Sequence, residues 1–135
     1  MASQQDVYTF QDLQGWAAEN RDPSSFSRLA VIGDPVAHSR SPQMHNPALK
    51  AAGIEGEYLR LHLRPEELSE GLGLLKPAGF IGINVTIPHK GGVFDAVDEM
   101  SEVARRIGAV NTVVIDGDKL IGHNTDGPGL KRAIR

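Results

Sequence analysis

Two serines stand two residues apart in HSRSP (38–42), immediately before a stretch with helical spacing. A helix start carries unpaired N–H groups and a partial positive charge. Ser39 and Ser41 beside such a start would seat an anionic group, a carboxylate or a phosphate. The plainer alternative is that Ser41 only caps the helix and Ser39 is a solvated loop residue, because Ser is a favoured cap. A second cluster lies in INVTIPHK (83–90). As a β-strand it would turn Ile83, Val85 and Ile87 into a core. Asn84 and Thr86 would point the other way, and Lys90 would share their parity just past Pro88. In a cleft at the carboxyl ends of an open α/β sheet, Asn84 and Thr86 would hydrogen-bond a polyol. Lys90 could exchange a proton with one of its hydroxyls. Against this, two polar side chains can face water or a covering loop, and a Lys after a strand is commonly a solvated charge. Asn111 in GAVNTV (108–113) reads locally as a turn residue bonding its own backbone. Asp126 in GHNTDGPG (122–129) is either the N-cap of a following helix or a carboxylate at the same sheet edge as Lys90.

Other chemistries lack their residues. The five histidines, His38, His45, His62, His89 and His123, show no metal spacing such as H-E-x-x-H. No G-x-S-x-G elbow occurs. Neither a G-x-G-x-x-G nor a P-loop is present: GLGLLK (71–76) lacks the third Gly and falls inside a helical pattern. The chain of 135 residues suits one domain with a real core. Apolar residues make up 40% and charged residues 23%, the balance of a soluble globular protein. A net charge of −3 argues against a general nucleic-acid binder. The absence of cysteine excludes a disulfide scaffold and a thiolate metal site, and accords with a cytoplasmic location. No basic-then-apolar opening suggests a secretory signal, and no stretch nears the roughly 20 apolar residues that span a bilayer.

The elements that must position these residues follow from periodicity. Residues 1–27 read as an N-terminal extension: a short helix capped by Thr9, with Asp12 three residues on, then a polar linker. Strands are expected at 29–33, 57–63 and 80–87. Helices are expected at 41–53, 65–76 and, for the most part, 93–108, the first with Ser41 at its N-cap, Pro42 in its first turn and Gly53 as its stop. Residues 111–116 and 119–124 flank Gly117–Asp118 as a hairpin. The alternation predicts an α/β fold: an open, mostly parallel mixed sheet with helices on both faces and a C-terminal antiparallel hairpin.

Taken in order, GDPVAHSRSPQMHN (33–46), GINVTIPHK (82–90), GAVNTV (108–113) and GHNTDGPG (122–129) resemble the N-terminal, substrate-binding domain of shikimate dehydrogenase. The likeness covers residues 29–131. It implies a substrate-binding catalytic domain over 28–131, with 127–135 starting a helix towards an NADP-binding domain that this chain does not include. It also implies the reversible NADPH-dependent reduction of 3-dehydroshikimate to shikimate, on the route to chorismate and the aromatic amino acids. Carried onto this sequence, Ser39 and Ser41 match the pair that holds the substrate carboxylate. Asn84, Thr86 and Asn111 match binders of the ring hydroxyls, Lys90 and Asp126 match the catalytic pair, and Glu102 matches an acidic position near the cofactor.

The implied partner is the small-molecule substrate, with no nucleic acid and no membrane, in a monomer or a homodimer. Two alternatives stay open. A quinate/shikimate dehydrogenase would use the same plan; relatives that accept quinate often carry Thr or Gly at one carboxylate serine, and both are Ser here. A non-catalytic shikimate-binding module would fit a chain without a dinucleotide loop, although it would not need both Lys90 and Asp126.

Overall fold

Leu59, Leu61 and Leu63 alternate with Tyr58, Arg60 and His62, and that alternation sorts the two faces of the central sheet. The protein's structure is a computed structural model, which describes residues 7–19, 27–37, 39–117 and 119–125. In chain order the elements are β1 (Tyr8–Thr9), α1 (Phe10–Glu19), β2 (Ser27–Gly33), α2 (Ser41–Ala51) and β3 (Gly56–His62). A 3-10 turn (Pro65–Glu67) leads into α3 (Leu68–Leu74) and β4 (Phe80–Val85). Then come α4 (Lys90–Ala96), β5 (Glu99–Met100), α5 (Glu102–Ile107), β6 (Thr112–Asp116) and β7 (Lys119–His123). Seven strands form one sheet in the order β1-β3-β2-β4-β6-β7-β5. The first four in that order are mutually parallel, β6 runs antiparallel to both β4 and β7, and β5 is parallel to β7. The expected open mixed sheet with its C-terminal hairpin is therefore what the chain forms.

One face carries the core. Ala30 and Ile32 of β2, Leu59 and Leu61 of β3 and Ile83 and Val85 of β4 are buried together with Leu13, Leu68, Leu72 and Val93 from α1, α3 and α4. Tyr58 and Arg60 point to the opposite face. There α2 covers them, with Asn46 Nδ2 donating to the Tyr58 carbonyl (3.0 Å), the Tyr58 N–H donating to Asn46 Oδ1 (2.8 Å) and the His45 ring stacked on Tyr58 at 4.6 Å.

The pairing of β2 with β4 steps from Arg28–Phe80 to Leu29–Gly82, so Ile81 is an extra residue in β4. A bulge of this kind flips the parity that follows it. Phe80, Ile83 and Val85 can all be core residues (1%, 3% and 4% exposed) only because of it. The same step sends Asn84 to the α2 face.

Several boundaries differ from the periodicity. β4 ends at Val85, and Ile87, expected in the core, is 73% exposed in the turn that follows. The expected helix over 93–108 is two helices separated by β5. The chain there pairs with the sheet edge instead of coiling: the Ser101 N–H donates to the Gly122 carbonyl (2.9 Å), and the Leu120 N–H donates to Asp98 Oδ2 (2.8 Å). Ser101 then caps α5 by accepting from the Ala104 N–H (3.1 Å), and Gly108 closes it in the left-handed region at φ 80°. α2 has Arg40, not Ser41, at its N-cap, because Ser41 already has helical backbone angles and is the first residue of the helix, while Arg40 (φ −97°, ψ 7°) stands just outside it.

The described part of the N-terminal segment adds to the sheet. The Thr9 N–H donates to Asp12 Oδ2 (2.8 Å) as the expected capping pair, β1 joins the edge of β3, and Leu13 is fully buried. Trp16 lies 6.2 Å from Phe80 and 4.5 Å beneath the Arg28 guanidinium.

Candidate functional site

Strand direction decides which loops share an edge. β2, β4 and β7 run the same way, so their carboxyl ends, together with the amino end of the antiparallel β6, lie along one edge of the sheet. Ser39 follows β2, Thr86 and Lys90 follow β4, Asn111 precedes β6 and Thr125 follows β7. The sheet thus gathers short segments, distant in sequence, at its ligand-accepting edge.

Asn84 stands in a cross-strand row. Arg60 pairs with Val31, Val31 with Asn84, Asn84 with Thr112 and Thr112 with His123, so these side chains share the α2 face. Asn84 and Thr112 of this row belong to a chain of hydrogen bonds. The Tyr58 hydroxyl donates to Asn84 Oδ1 (2.6 Å), and Asn84 Nδ2 donates to Thr112 Oγ1 (3.2 Å). The Thr112 hydroxyl donates to Asn111 Oδ1 (3.1 Å). Asn111 Nδ2 donates to Thr125 Oγ1 (3.0 Å), and the Thr125 backbone N–H donates back to Asn111 Oδ1 (3.1 Å). Asn111 is 8% exposed, so its amide is held by these bonds and is no solvated turn group.

Thr86 is half-buried, its N–H donating to the Ile32 carbonyl (2.9 Å) and its carbonyl accepting from the His89 N–H (3.0 Å). Gly33 makes this approach possible: a Cβ there would lie 2.5 Å from Thr86 Cγ2 and 2.8 Å from Val36 Cγ1. His89 is 2% exposed, and its Nε2 donates to the Leu63 carbonyl, which anchors the turn into α4. Lys90, the first residue of α4, is half-buried, and its carbonyl accepts from the Val110 N–H (3.2 Å), next to Asn111. Across the edge, Arg60 Nε donates to the Ser39 carbonyl (2.8 Å) and an Arg60 Nη donates to Gln43 Oε1 (3.0 Å). Arg60 is 8% exposed, so a buried cation holds both the Ser39 loop and the first turn of α2.

The structure thus brings Asn84, Thr86, Asn111 and Lys90 to one edge, with the Ser39 loop tied to it through Arg60. Ser41 begins α2, but its side chain, like the whole of Asp126, lies outside the described residues. Glu102 is separate from the wired group: it is exposed on α5 and faces Arg106 at 3.5 Å.

The sequence pattern for the shikimate dehydrogenase substrate binding domain matches residues 31–113. A shikimate dehydrogenase (NADP(+)) of Desulfitobacterium hafniense is 51% identical over 107 residues, covering 79% of this chain.

The chain belongs to the shikimate dehydrogenase family.

It spans 39% of the length of that relative. The Thermus thermophilus enzyme, solved in complex with NADP(H) and shikimate, is 45% identical with a TM-score of 0.74, over 79% of this chain and 41% of that one. Shikimate 5-dehydrogenase from Listeria monocytogenes, solved with shikimate and NAD, is 36% identical with a TM-score of 0.77, over 84% of this chain and 39% of that one. Within this family fold, Tyr58, Thr112 and Thr125 of the hydrogen-bonded chain, and Arg60 beside it, add to the residues the motifs pointed to. Tyr58 and Arg60 sit on the polar parity of EYLRLHL, a signal that was readable. Thr112 and Thr125 adjoin Asn111 and Asn124 in the quoted motifs, but only the β6–β7 pairing brings them together.

Proposed function

We propose that this chain binds shikimate and 3-dehydroshikimate at the edge described above, as the substrate-binding and catalytic part of an NADP-dependent shikimate dehydrogenase that interconverts them. One observation carries the reading: the stretch holding Asn84, Thr86 and Lys90 and the separate one holding Asn111 share one sheet edge, to which Arg60 ties the loop of Ser39. That set matches a small ring bearing hydroxyls and one carboxylate. Hydroxyls and helix N–H groups at Ser39 and Ser41 receive the carboxylate. The amides of Asn84 and Asn111 and the hydroxyl of Thr86 orient the ring oxygens.

Lys90 would deliver a proton to the reacting oxygen during reduction and accept it in reverse. Asp126 is its proposed partner, holding the ammonium and a neighbouring hydroxyl in line.

The described residues do not fit the cofactor itself. A dinucleotide pyrophosphate needs closely approaching backbone N–H groups at a glycine-rich turn, and the sequence carries no such turn. Glu102, exposed and paired with Arg106 at 3.5 Å, offers no such cradle of N–H groups. Holding NADP therefore falls to residues other than these, and what this chain contributes is binding, orientation and the proton.

Calorimetric titration of the chain with shikimate and with quinate tests the site. Shikimate should bind, and more tightly than quinate, because both carboxylate positions are Ser. Failure of both ligands at millimolar concentration would remove the assignment. Where the chain is continued by a cofactor-holding domain, Lys90→Ala should abolish most shikimate-dependent NADP reduction while leaving shikimate binding nearly intact; an unchanged rate would take the proton role from Lys90.

A further inference from the structure

We infer that Thr112 and Tyr58 are positioning residues that fix the polarity of the site, so that Asn84 and Asn111 both offer N–H donors to the ligand. The inference rests on reading this edge as the shikimate site. It starts from one group whose role cannot reverse. The Thr125 backbone N–H can only donate, and it lies 3.1 Å from Asn111 Oδ1, which fixes that atom as the carbonyl oxygen. Thr112 Oγ1 is 3.1 Å from the same oxygen, and two oxygens hydrogen-bond only through a proton, so the hydroxyl must donate. Its single proton is then spent. The atom of Asn84 at 3.2 Å from Thr112 Oγ1 must be a donor, which is Nδ2. Asn84 Oδ1 therefore faces Tyr58, whose hydroxyl must donate to it at 2.6 Å.

The direction set at Thr125 thus propagates through Asn111, Thr112 and Asn84 to Tyr58, from the end of β7 across β6 and β4 to β3. Both amide oxygens are committed as acceptors inside the protein. Each Nδ2 uses one N–H within the chain, Asn111 towards Thr125 and Asn84 towards Thr112, and each keeps a second for a ligand oxygen. A ring hydroxyl at these two positions is consequently read as an acceptor, and must donate its own proton elsewhere.

The test compares Thr112→Val, Thr112→Ser and Tyr58→Phe with the unaltered chain. Each is titrated calorimetrically with shikimate, and the side-chain amide resonances of Asn84 and Asn111 are followed by 15N-resolved NMR without ligand. Thr112→Val keeps the shape but removes the hydroxyl, and should weaken shikimate binding by about tenfold, the scale of one lost hydrogen bond. It should shift both Asn amide signals. Thr112→Ser should restore affinity and both signals. Tyr58→Phe should shift the Asn84 signal and leave that of Asn111 in place, which keeps the inference falsifiable even if Thr112→Val folds poorly.

If the unaltered chain binds shikimate and Thr112→Val binds it equally well with unmoved amide signals, the relay falls and the site reading stands. Equal weakening in Thr112→Ser and Thr112→Val would also overturn the relay, since it would point to the methyl group. If the unaltered chain binds no shikimate at millimolar concentration, the site reading fails and this inference fails with it.

Discussion

Ser39 and Arg60 divide the work of one loop. The buried Arg60 guanidinium grips the Ser39 carbonyl, so the backbone of the loop is held whatever residue stands at 39. Ser39→Ala keeps that backbone bond and should weaken shikimate binding by about 1.5–3 kcal/mol, the usual size of a hydrogen bond to a charged group, a larger effect than any on the thermal midpoint. Differential scanning fluorimetry and calorimetry read the two effects separately. A lowered midpoint with unaltered affinity would make Ser39 a loop residue only. At this scale the sequence was legible where a polar residue broke an apolar alternation, as Asn84 and Thr86 do in INVTI. For Arg60 it showed the polar parity but not the burial, because an arginine on a strand reads as solvated until the packing of α2 over it is known.

At the scale of elements, the site depends on how closely β2 can approach the turn after β4. Gly33 has no side chain because Thr86 Cγ2, Val36 Cγ1 and the Ile87 carbonyl already fill the space, the last at 3.1 Å from where a Cβ would stand. Gly33→Ala should cost about 1–3 kcal/mol of stability by overpacking. Because Thr86 is one of the displaced groups, it should also weaken shikimate binding, and a denaturant titration beside calorimetry checks both; unaltered values in both would mean that the turn relaxes freely. The bulge at Ile81 acts at the same scale. Period-two reasoning predicts one parity through 80–87, and the extra residue in β4 reverses it part-way, so that Phe80 and Val85 are both core. The strand–helix alternation survives in the structure because it reflects many residues at once. The long helix expected at 93–108 does not, because backbone pairing of residues 99–100 with β7 outweighs local helical spacing, and no periodicity within the segment reveals a partner strand.

On the scale of the whole molecule, the first described helix closes one end of the core, and its surroundings give stability a pH dependence. Burial pushes the Tyr8 phenol above its ordinary value of 10.0, the carboxylates of Glu57 and Asp12 push it further, and Arg28 opposes them. The folded state thus favours the neutral phenol. As pH rises, the unfolded chain ionises first, so the stability that Tyr8 provides is complete below about pH 10 and is lost as pH climbs through the raised value. Chemical denaturation between about pH 9 and 11.5, a span bracketing the ordinary phenol range, should show a steeper decline for the unaltered chain than for Tyr8→Phe. Lys119, raised by its hydrogen bond to Glu99, adds a decline of the same sign in both proteins and cancels in the difference. Parallel curves would show that Tyr8 ionises equally in both states.

The amino-acid sequence by itself determined the class of fold, the short elements and the residue types of the site, because apolar period, capping residues and glycine stops are local properties that side chains express wherever the chain goes. With its motifs in order, it also carried the family. Tertiary structure alone decided which of those residues meet. The common direction of β2, β4 and β7 gathers their ends, the bulge at Ile81 brings Phe80 onto the core face of Ile83 and Val85, and the packing of α2 buries Arg60 beside Ser39. Each is a pairing between segments far apart in the chain, fixed by register and by the shared burial of a core, and no single stretch contains it.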